Sequence, residues 1–350
     1  MLDLKRIRAE PDAARAALAR RGAAEALDEL LALDARRREL LPQVEEGRAR
    51  RNEASDQIAA AKREGGDVEE AIAQMRELGG KIKALEAELA EVETRRDELA
   101  ATLPNLPHPE VPEGGEEDAV TLREVGAPRT FEFSVRDHLD LGTMHGWIEM
   151  EKAAEASGAR FAYLMGDLVM VELALIRMAI DMVAAEGFAP VVPPVLVREG
   201  PLHGTGYFPG EREMIYEVER DELFLVGTSE VSLAALHADE ILEPDTLPVR
   251  YAGISTCFRR EAGAAGKDTR GIFRVHQFDK VEMFSFVQPD AGAAEHERLL
   301  AIEEEIFSEL EVPYRVVNIA VNDLGASAAK KYDIEAWLPG QQRYREVTST

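Results

Sequence analysis

The chain has 350 residues, of which 45% are hydrophobic and 31% charged, which predicts a folded protein of about two domains. Its 41 basic and 67 acidic residues give a net charge of −26, which excludes a broad basic surface but allows a local basic stripe. The sequence has no run of about 18 apolar residues and no apolar signal segment, and its single cysteine, Cys257, excludes an internal disulfide. We therefore expect a cytoplasmic protein without a membrane segment, in which Cys257 is a small buried hydrophobe.

The first third of the sequence has the pattern of two paired helices. From about residue 27 to residue 62, mostly small or apolar residues recur at alternating steps of three and four, and the segment after residue 67 repeats this spacing. The first row consists of Leu30, Leu33, Arg37, Leu40, Val44, Gly47, Arg51, Ala54, Ile58 and Ala61. The second row consists of Met75, Leu78, Ile82, Leu85, Leu89, Val92, Arg96, Leu99 and Leu103. Rows of this period predict an antiparallel two-stranded coiled coil.

Glycines and prolines mark the limits of these helices. The residues REGGD at 63–67 predict the turn between them, and Pro42 predicts a kink or the start of a new helix. The Pro-rich segment 104–118 ends the second helix and has the composition of a linker. We therefore expect a helical arm at 1–103, a linker at 104–118 and a second domain at 119–350.

The predicted first helix carries basic residues in groups that recur every two or three turns. They include Arg48, Arg50, Arg51, Lys62 and Arg63. This spacing suits a face that follows a phosphate backbone. It also suits an ordinary solvated helix with i,i+4 ion pairs, such as Glu46 with Arg50, and the residues alone favour this second interpretation.

The second domain contains a predicted apolar helix followed by a strand with prolines. Residues 166–188 predict a helix that is apolar on nearly all sides, which indicates burial against a second subunit or, equally well, in the core. The segment APVVPPVLV at 189–197 predicts a short strand. Pro193 and Pro194 require this strand to lie at a sheet edge or to contain a bulge.

A strand, a polar turn and a helix are predicted at residues 223–240. Thr228, Ser229 and Glu230 stand at the turn, where side chains can leave a sheet to meet a ligand. The same residue types are common at helix N-termini, and this segment alone favours a capping role.

Two charged segments joined by a loop rich in glycine and alanine predict a floor for an anionic ligand. Arg259 has the planar fork that bridges phosphate and carboxylate groups, and Glu261 is expected on the same strand face two residues later. The predicted return strand at 270–286 carries charged or titratable residues at even positions, so they are expected to share one face. These are Arg270, Arg274, His276 and Glu282.

The segment 332–350 predicts two strands joined by a Pro-Gly turn. A carboxylate and a hydroxyl three residues apart can hold hydrated Mg²⁺ beside a polyphosphate, and Glu346 and Ser349 have this spacing. The alternative is the ordinary polarity of an exposed strand.

Several of these segments together resemble a known family. FRRE at 258–261 and TRGIFRVHQFDKVEM at 269–283 resemble the second signature of class II aminoacyl-tRNA synthetases in its serine-specific form. GTSE at 227–230 resembles the serine loop, and GFAPVVPPVLV at 187–197 resembles the first signature, whose strand builds the dimer. The helical hairpin resembles the tRNA-binding arm. The sequence therefore resembles the seryl-tRNA synthetases over residues 1–350.

The resemblance implies an α+β fold, with an N-terminal antiparallel two-helix coiled coil and a class II antiparallel β-sheet flanked by helices, in a homodimer. It implies ATP-dependent activation of L-serine to seryl-adenylate and transfer to tRNA(Ser), and also to tRNA(Sec). ATP and Mg²⁺ are the implied cofactors, and no zinc is expected in the pocket. Family chains continue past the position of Thr350 into a third signature, so we expect this catalytic domain to lack part of its sheet.

The resemblance also implies a role for each matching residue. Arg259 is expected to be the catalytic clamp on the α-phosphate and the serine carboxylate. Serine is expected to bind Thr228, Ser229, Glu230, Arg259 and Glu282. ATP is expected to bind Arg259, Arg260, Glu261, Val275, Glu346, Val347, Thr348 and Ser349, with Mg²⁺ at Glu346 and Ser349. The tRNA is expected to bind Arg48, Arg50, Arg51, Lys62 and Arg63.

Two other functions fit parts of the sequence. A non-catalytic tRNA-binding relative would need the arm but not Arg259, Glu282 or Glu346. A ligase that loads serine onto a carrier protein would need those residues but not the arm. Because the arm and the site residues occur together, the synthetase reaction accounts for more of the sequence than either alternative.

Overall fold

The structure is a computed structural model that describes residues 2–262 and 268–350. The chain divides into two compact units, Leu2–Pro107 and His108–Thr350. The first unit is helical and the second combines strands with helices, so the predicted α+β class is confirmed. Within the described ranges, every helix is too short or too polar to span a lipid bilayer.

Four helices form the described part of the first unit. They are α1 (Leu4–Ala9), α2 (Pro11–Ala19), α3 (Ala24–Arg63) and α4 (Glu69–Thr102). Asp3 caps α1, because its carboxylate accepts two backbone N–H groups of the first turn. The two short helices pack on the base of the long pair, where Leu18, Leu27 and Leu103 share one buried cluster.

The two long helices pair along the predicted rows. Leu40 and Leu89 share an apolar cluster between the helices. Gly47 allows a close approach farther along, because a Cβ at this position would lie 2.9 Å from Cγ1 of Ile82. Arg51 is exposed, so the first row is interrupted there. The rest of the pairing follows the spacing of the apolar residues.

Pro42 does not begin a new helix, so that alternative of the prediction is wrong. Helix α3 continues through Pro42, which is exposed. A proline inside a helix removes one hydrogen bond and costs about 3 kcal/mol. Leu40 and Val44 are both fully buried against α4, and burial of large aliphatic side chains contributes about 1.5–3 kcal/mol each. Packing between α3 and α4 therefore offsets the free-energy cost of the proline.

Strands form small sheets in the described part of the second unit. They are β1 (Val120–Val125), β2 (Ile148–Glu149), β3 (Tyr163–Leu164), β4 (Ala189–Val191), β5 (Leu196–Val197), β6 (Glu217–Val218), β7 (Leu223–Leu225), β8 (Val249–Phe258), β9 (Gln277–Phe286), β10 (Tyr314–Asn318), β11 (Tyr332–Leu338) and β12 (Arg343–Ser349). The largest sheet is antiparallel with the order β1-β10-β11-β12. A second sheet has the order β4-β8-β9, with β4 parallel to β8 and β9 antiparallel. The orders β5-β7-β6 and β2-β3 complete the set.

One long helix packs on both of the larger sheets. The helices of this unit are α5 (His138–Met144), α6 (Glu151–Ser157), α7 (Asp167–Ala185), α8 (Glu199–Gly204), α9 (Glu230–Ala235) and α10 (Gly292–Glu309). Ile302 of α10 packs with Ala252 on the β4-β8-β9 sheet. Leu300 of the same helix packs with Val316 and Ile334 on the four-stranded sheet. Helix α10 therefore joins the two halves of the core.

Helix α7 and the strand after it leave apolar side chains exposed. Ile180 and Val183 face the core, whereas Met170 and Leu173 are more than half exposed. Strand β4, which contains Pro190, lies at a sheet edge, and Val192 beyond it is 81% exposed. The predicted strand at 189–197 is divided in two, because the proline pair separates β4 from β5.

Residues 108–118 belong to the segment expected to be a linker, and they pack on the second unit. Val111 is buried in a cluster with Val317 and Val321, and the N–H of Val321 donates to the carbonyl oxygen of Pro112. This stretch is therefore held by side-chain packing and backbone hydrogen bonds.

Candidate active site

Strands β8 and β9 form a regular hairpin that ends beside Arg259. The register runs from Val249 opposite Phe286 to Phe258 opposite Gln277. The N–H of Arg259 donates to the carbonyl oxygen of His276 at 3.0 Å, and Nδ1 of His276 donates to that of Arg259 at 2.8 Å. These bonds fix the backbone of Arg259 where the two strands separate.

The strand predictions beyond this point are wrong. Strand β8 ends at Phe258, and Glu261 has a φ of +50°, so it does not share a strand face with Arg259. Strand β9 begins at Gln277 rather than at 270, so even spacing does not place Arg270 and Arg274 on the face of Glu282. Charged partners hold this segment instead of a sheet ladder. The loop residues 263–267 lie outside the described part of the chain.

Ion pairs position the segment before β9. Arg274 pairs with Glu261 at 2.5 Å, and the Glu261 side chain is almost fully buried. Arg270 pairs with Asp137 and Asp140 at the start of α5. The N–H of Ile272 donates to Nε2 of His138 at 3.0 Å.

The polar turn after β7 points into the sheet. Thr228 is 1% exposed, and its Oγ1 donates to Oε2 of Glu282 at 2.5 Å. Ser229 is fully buried, and its hydroxyl makes no hydrogen bond to any residue that the structure describes. It lies over Gly253, where a Cβ would come within 2.8 Å of its Oγ. Ser229 stands at the N-cap of α9 without capping it, so the capping interpretation is wrong for this residue.

Carboxylates gather around Thr228 in a largely buried pocket. Burial, and then the charge of Glu282, raises the pKa of Glu230 above its usual range. Lys280 pairs with the same oxygen of Glu282 that accepts the Thr228 hydroxyl. Glu211 lies near Arg259 at the exposed rim of the pocket, and partial desolvation raises the pKa of its carboxyl. The pocket is therefore acidic and suited to a cationic group.

Sequence reasoning missed three residues of this pocket. Lys280 could have been found, because it stands two residues before Glu282 and strand alternation places both on one face. Tyr207 and Glu211 precede the pocket strands in irregular chain, and no periodicity indicates them. Burial raises the pKa of Tyr207, and the neighbouring Glu230 raises it further.

Arg259 stands at the edge of this acidic pocket. Its Nε donates to the carbonyl oxygen of Gly227 at 3.1 Å, and its guanidinium lies 5.3 Å from the ring centre of Phe278. No ion pair of Arg259 occurs with any residue in the described ranges. A guanidinium held this way keeps N–H donors available for an anion.

Two other residues expected to bind ATP lie close by in sequence but differ in setting. Arg260 is exposed, its N–H donates to the carbonyl oxygen of Met214, and its guanidinium lies 5.6 Å from the Tyr216 ring. Val275 is half-buried in the irregular segment before β9. Arg260 and Val275 therefore lie close to Arg259 in the hairpin, but both are outside strands β8 and β9.

Strand β12 brings the remaining expected residues to the edge of the four-stranded sheet. Glu346 lies opposite Glu335, whereas Thr348 lies opposite Ile334 and Ser349 opposite Asp333. Val347 is thus an extra residue, a β-bulge. Because of this bulge, Glu346 and Ser349 share a face although they are three residues apart. A regular strand would have placed them on opposite faces.

The oxygen donors of this face fit a hard divalent cation. The carboxylate of Glu346 is about half exposed, and the Ser349 hydroxyl is exposed beside it. Such oxygen ligands are the kind that Mg²⁺ prefers, with water completing its shell. Lys331 Nζ lies 3.6 Å from Glu346 and would compete for that carboxylate. Thr348 points the other way, and its Oγ1 donates to Oε1 of Glu303 at 2.8 Å.

The basic residues of the arm divide into paired and unpaired sets. Arg48 pairs with Glu86 on α4, and Arg50 pairs with Glu46 one turn earlier, as the solvated-helix interpretation predicts. Arg51 is exposed, and so are Lys62 and Arg63 in the last turn of α3. Within the described ranges no ion pair forms at these three residues.

The chain matches known families at both ends. The family described as the seryl-tRNA synthetase N-terminal domain matches residues 1–107, and the tRNA synthetase class II core domain (G, H, P, S and T) matches residues 215–350. A serine–tRNA ligase of Streptomyces coelicolor is 49% identical over 354 residues, which cover 100% of this chain and 83% of the relative.

Solved structures agree with these matches. Seryl-tRNA synthetase from Pyrococcus horikoshii complexed with ATP is 42% identical with a TM-score of 0.91, covering 100% of this chain and 83% of that one. Cytoplasmic serine–tRNA ligase from Naegleria fowleri in complex with AMP is 31% identical with a TM-score of 0.84, covering 97% and 80%. The chain belongs to the seryl-tRNA synthetase family of class II aminoacyl-tRNA synthetases.

Proposed function

We propose that this chain activates L-serine with ATP and transfers the seryl group to the 3′ end of tRNA(Ser). The observation that carries the proposal is the acidic pocket of Thr228, Glu230 and Glu282 next to the guanidinium of Arg259. A cationic amine fits the carboxylates and an anionic carboxylate fits the arginine, which is the charge distribution of a free amino acid.

Serine is selected by hydrogen bonds to its hydroxyl and by the size of the pocket. The Thr228 hydroxyl and the Glu282 carboxylate offer polar partners for the serine hydroxyl and ammonium. A site that hydrogen-bonds a hydroxyl penalises alanine, because its buried polar groups would then be unpaired. The Ser229 hydroxyl is buried at the same turn and would have to become accessible to act as a further partner. Threonine adds a methyl group, so its rejection depends on steric fit.

In the adenylation step a serine carboxylate oxygen forms a bond to the α-phosphorus while the bond from that phosphorus to the pyrophosphate oxygen breaks. Arg259 would contact both anions, which reduces their repulsion and orients them. The Glu261 carboxylate would accept a hydrogen bond from the adenine amino group. Its ion pair with Arg274 would have to rearrange to allow this. Arg260, Val275 and the 346–349 strand would hold the rest of the nucleotide.

The proposed nucleotide is ATP, bound together with Mg²⁺. Glu346 and Ser349 would hold Mg²⁺, because the bulge at Val347 places a carboxylate and a hydroxyl on one face. Bound there, Mg²⁺ would neutralise charge on the polyphosphate. The seryl-tRNA synthetase structure from Pyrococcus horikoshii is a complex with ATP, which supports this choice of nucleotide.

The helical arm is the proposed binding site for tRNA. Arg51, Lys62 and Arg63 are exposed and, within the described ranges, unpaired, so they are the arm residues best able to contact phosphates. Arg48 and Arg50 would have to exchange a carboxylate for a phosphate. We extend the proposal to tRNA(Sec), because both tRNAs would offer the same class of ligand to the arm.

We propose that a second copy of the chain packs against the exposed apolar face of α7 and β4. Met170, Leu173 and Val192 leave an apolar surface that water would otherwise contact. A homodimer would bury this face, and the single, buried Cys257 suits a reducing cytoplasm.

Serine-dependent exchange of radioactive pyrophosphate into ATP tests the proposal directly. The wild-type chain is expected to exchange with serine and not with alanine, and Arg259→Ala to lose at least a hundredfold. Arg220→Ala, an exposed arginine outside the site, is the matched control and should retain exchange. Exchange that is absent from the folded wild type, or unchanged in Arg259→Ala, would contradict the proposal.

A further inference from the structure

Glu303 occupies a position of α10 where an apolar residue would be expected. Leu300 and Phe307 of this helix pack on the four-stranded sheet, and Leu299 and Ile306 pack on the β4-β8-β9 sheet. Residues three and four apart lie on the same face of a helix, so Glu303 stands in the middle of the face that joins both sheets. Its side chain is nevertheless a glutamate, and the residue is only 7% exposed.

The surroundings of Glu303 come from both sheets. Its Oε1 accepts the Oγ1 hydroxyl of Thr348 on β12 at 2.8 Å, and its Oε2 is buried without a hydrogen-bond partner in the described residues. Lys280 and Glu282 on β9 and Asp333 on β11 are the charged groups that act on it. Burial has the largest effect and raises the pKa of Glu303 to about 8, which favours the neutral carboxyl at pH 7.

Core packing does not account for this residue. A buried polar group with an unsatisfied atom costs folding free energy, whereas an apolar side chain at the same position would add to the packing of α10 on the two sheets. What Glu303 provides, and an apolar residue would not, is a hydrogen bond to the strand that carries Glu346 and Ser349. Within the described ranges, no strand of the β4-β8-β9 sheet pairs with a strand of the β1-β10-β11-β12 sheet. Side chains of α10 that pack on both sheets therefore contribute to the alignment of the two sheets.

We propose that Glu303 is a positioning residue: through Thr348 it holds the ATP-binding end of β12 in line with the serine-binding face of β9. The inference rests on the proposed function, because the two ends matter together only if serine and ATP react there. Glu303 acts through Thr348 and touches neither substrate. Its neutral form suits the position, since a carboxylate there would add a negative charge beside Glu282.

The same helix supplies a matched control. Glu295 is 8% exposed, and its carboxylate pairs with Arg250 and Ser285 near the opposite end of the β8-β9 hairpin from Arg259. Loss of either glutamate removes a buried acid from α10. Only the loss of Glu303 removes a contact with the ATP-binding strand.

The test measures ATP and serine binding by isothermal titration calorimetry, together with pyrophosphate exchange and thermal unfolding, on the wild-type chain and five variants. These are Glu303→Ala, Glu303→Gln, Thr348→Val, the double variant Glu303→Ala with Thr348→Val, and Glu295→Ala. For Glu303→Ala we expect the Kd and KM for ATP to rise about tenfold, the loss of one buried hydrogen bond, with the KM for serine changed less than twofold. Glu303→Gln should stay within twofold, because its amide oxygen still accepts the Thr348 hydroxyl.

The remaining variants separate positioning from stability. In the Thr348→Val background, Glu303→Ala should add less than twofold, since the contact is already lost. Glu295→Ala should lower the unfolding temperature without changing the Kd for ATP. Unchanged ATP affinity in a folded Glu303→Ala chain, or additive effects of the two substitutions, would overturn the inference while leaving the proposed function intact. A wild-type chain that binds neither ATP nor serine would overturn both.

Discussion

The arm and the body of this molecule follow different rules of construction. Residues 1–107 contain 19 Lys and Arg and 23 Asp and Glu, a net charge of −4, whereas residues 108–350 contain 22 and 44, a net charge of −22. The arm uses its charges in pairs between its long helices, such as Arg36 with Glu88 and Arg37 with Glu93. The acidity of the chain therefore lies in the body, and the nearly balanced arm presents no large negative field to a nucleic acid.

The body places some of its acidic groups where they do not titrate in the usual range. Burial raises the pKa of Glu230, Glu303 and Asp333, the last to about 7. Glu230 lies in the pocket, and the charge of Glu282 acts on both Glu230 and Glu303. Burial of a carboxylate costs stability that an exposed surface carboxylate does not lose. The difference between the units is thus one of purpose: charge pairs hold the arm, and buried acids shape the site.

The largest effect is expected from a neutral substitution in the pocket. Glu282→Gln removes the charge that we propose for binding the serine ammonium, and loss of one partner of a buried charge pair costs about 2–5 kcal/mol. We expect kcat/KM for serine in pyrophosphate exchange to fall by about 30-fold or more. Asp279→Asn on the same strand is the control, because Asp279 is exposed and pairs with Thr256. A loss confined to ATP affinity would place Glu282 outside the serine site.

The pH dependence of stability should carry the signature of Glu303. Because its folded pKa of about 8 lies above the ordinary value of 4.5, the folded state holds the proton more tightly than the unfolded state. Its contribution is therefore complete below about pH 4.5 and is lost as the pH rises to about 8. The slope is at most about 1.4 kcal/mol per pH unit. Urea unfolding from pH 5 to 9 should show a smaller fall in Glu303→Gln than in wild type.

Asp333 contributes a slope of the same sign, and the wild-type curve alone does not separate the two groups. The difference between wild type and Glu303→Gln isolates Glu303. Parallel curves for the two proteins would contradict the assignment of a neutral, buried acid.

Much of the arm could be predicted from sequence because its partners follow from helical spacing. Leu40, Ile58 and Ile82 lie in the predicted rows and are buried. The body is different at the points that matter for the site. No periodic sequence pattern predicts the left-handed turn at Glu261 or the bulge at Val347, since each depends on tertiary contacts.

The resemblance to a family identified Arg259, Thr228, Glu230 and Glu282 as candidates, but strand alternation did not predict their geometry. Arg259 and Glu282 lie on the same hairpin, whereas Thr228 enters from a turn that packs on Gly253. Glu303 was not predicted, because a glutamate within a helix is normally expected on the solvent side. Its burial depends on the junction of two sheets, which no local window contains.

A smaller effect is expected when the unpaired basic residues of the arm are removed. Arg51→Ala with Lys62→Ala should weaken tRNA(Ser) binding about tenfold and reduce the slope of log K against log salt by about two. Pyrophosphate exchange should be unchanged, because it uses no tRNA. Arg48→Ala with Arg50→Ala is the comparison pair, since both side chains are already held by glutamates. An equal loss in the two double variants would mean that ion pairing does not decide which arginines meet the tRNA.

The smallest effect tests the seam of the arm itself. Gly47→Ala improves helix propensity by up to about 1 kcal/mol but brings a Cβ within 2.9 Å of Cγ1 of the buried, β-branched Ile82, an overpacking that costs about 1–3 kcal/mol. We expect net destabilisation of about 1 kcal/mol by thermal unfolding. Gly79→Ala on α4 meets no described atom within 4 Å and should stabilise the arm by about 0.5–1 kcal/mol. Opposite signs for the two glycines would confirm that contact across the seam, and not helix propensity, sets the spacing of the long helices; equal gains would remove Gly47 from the interface.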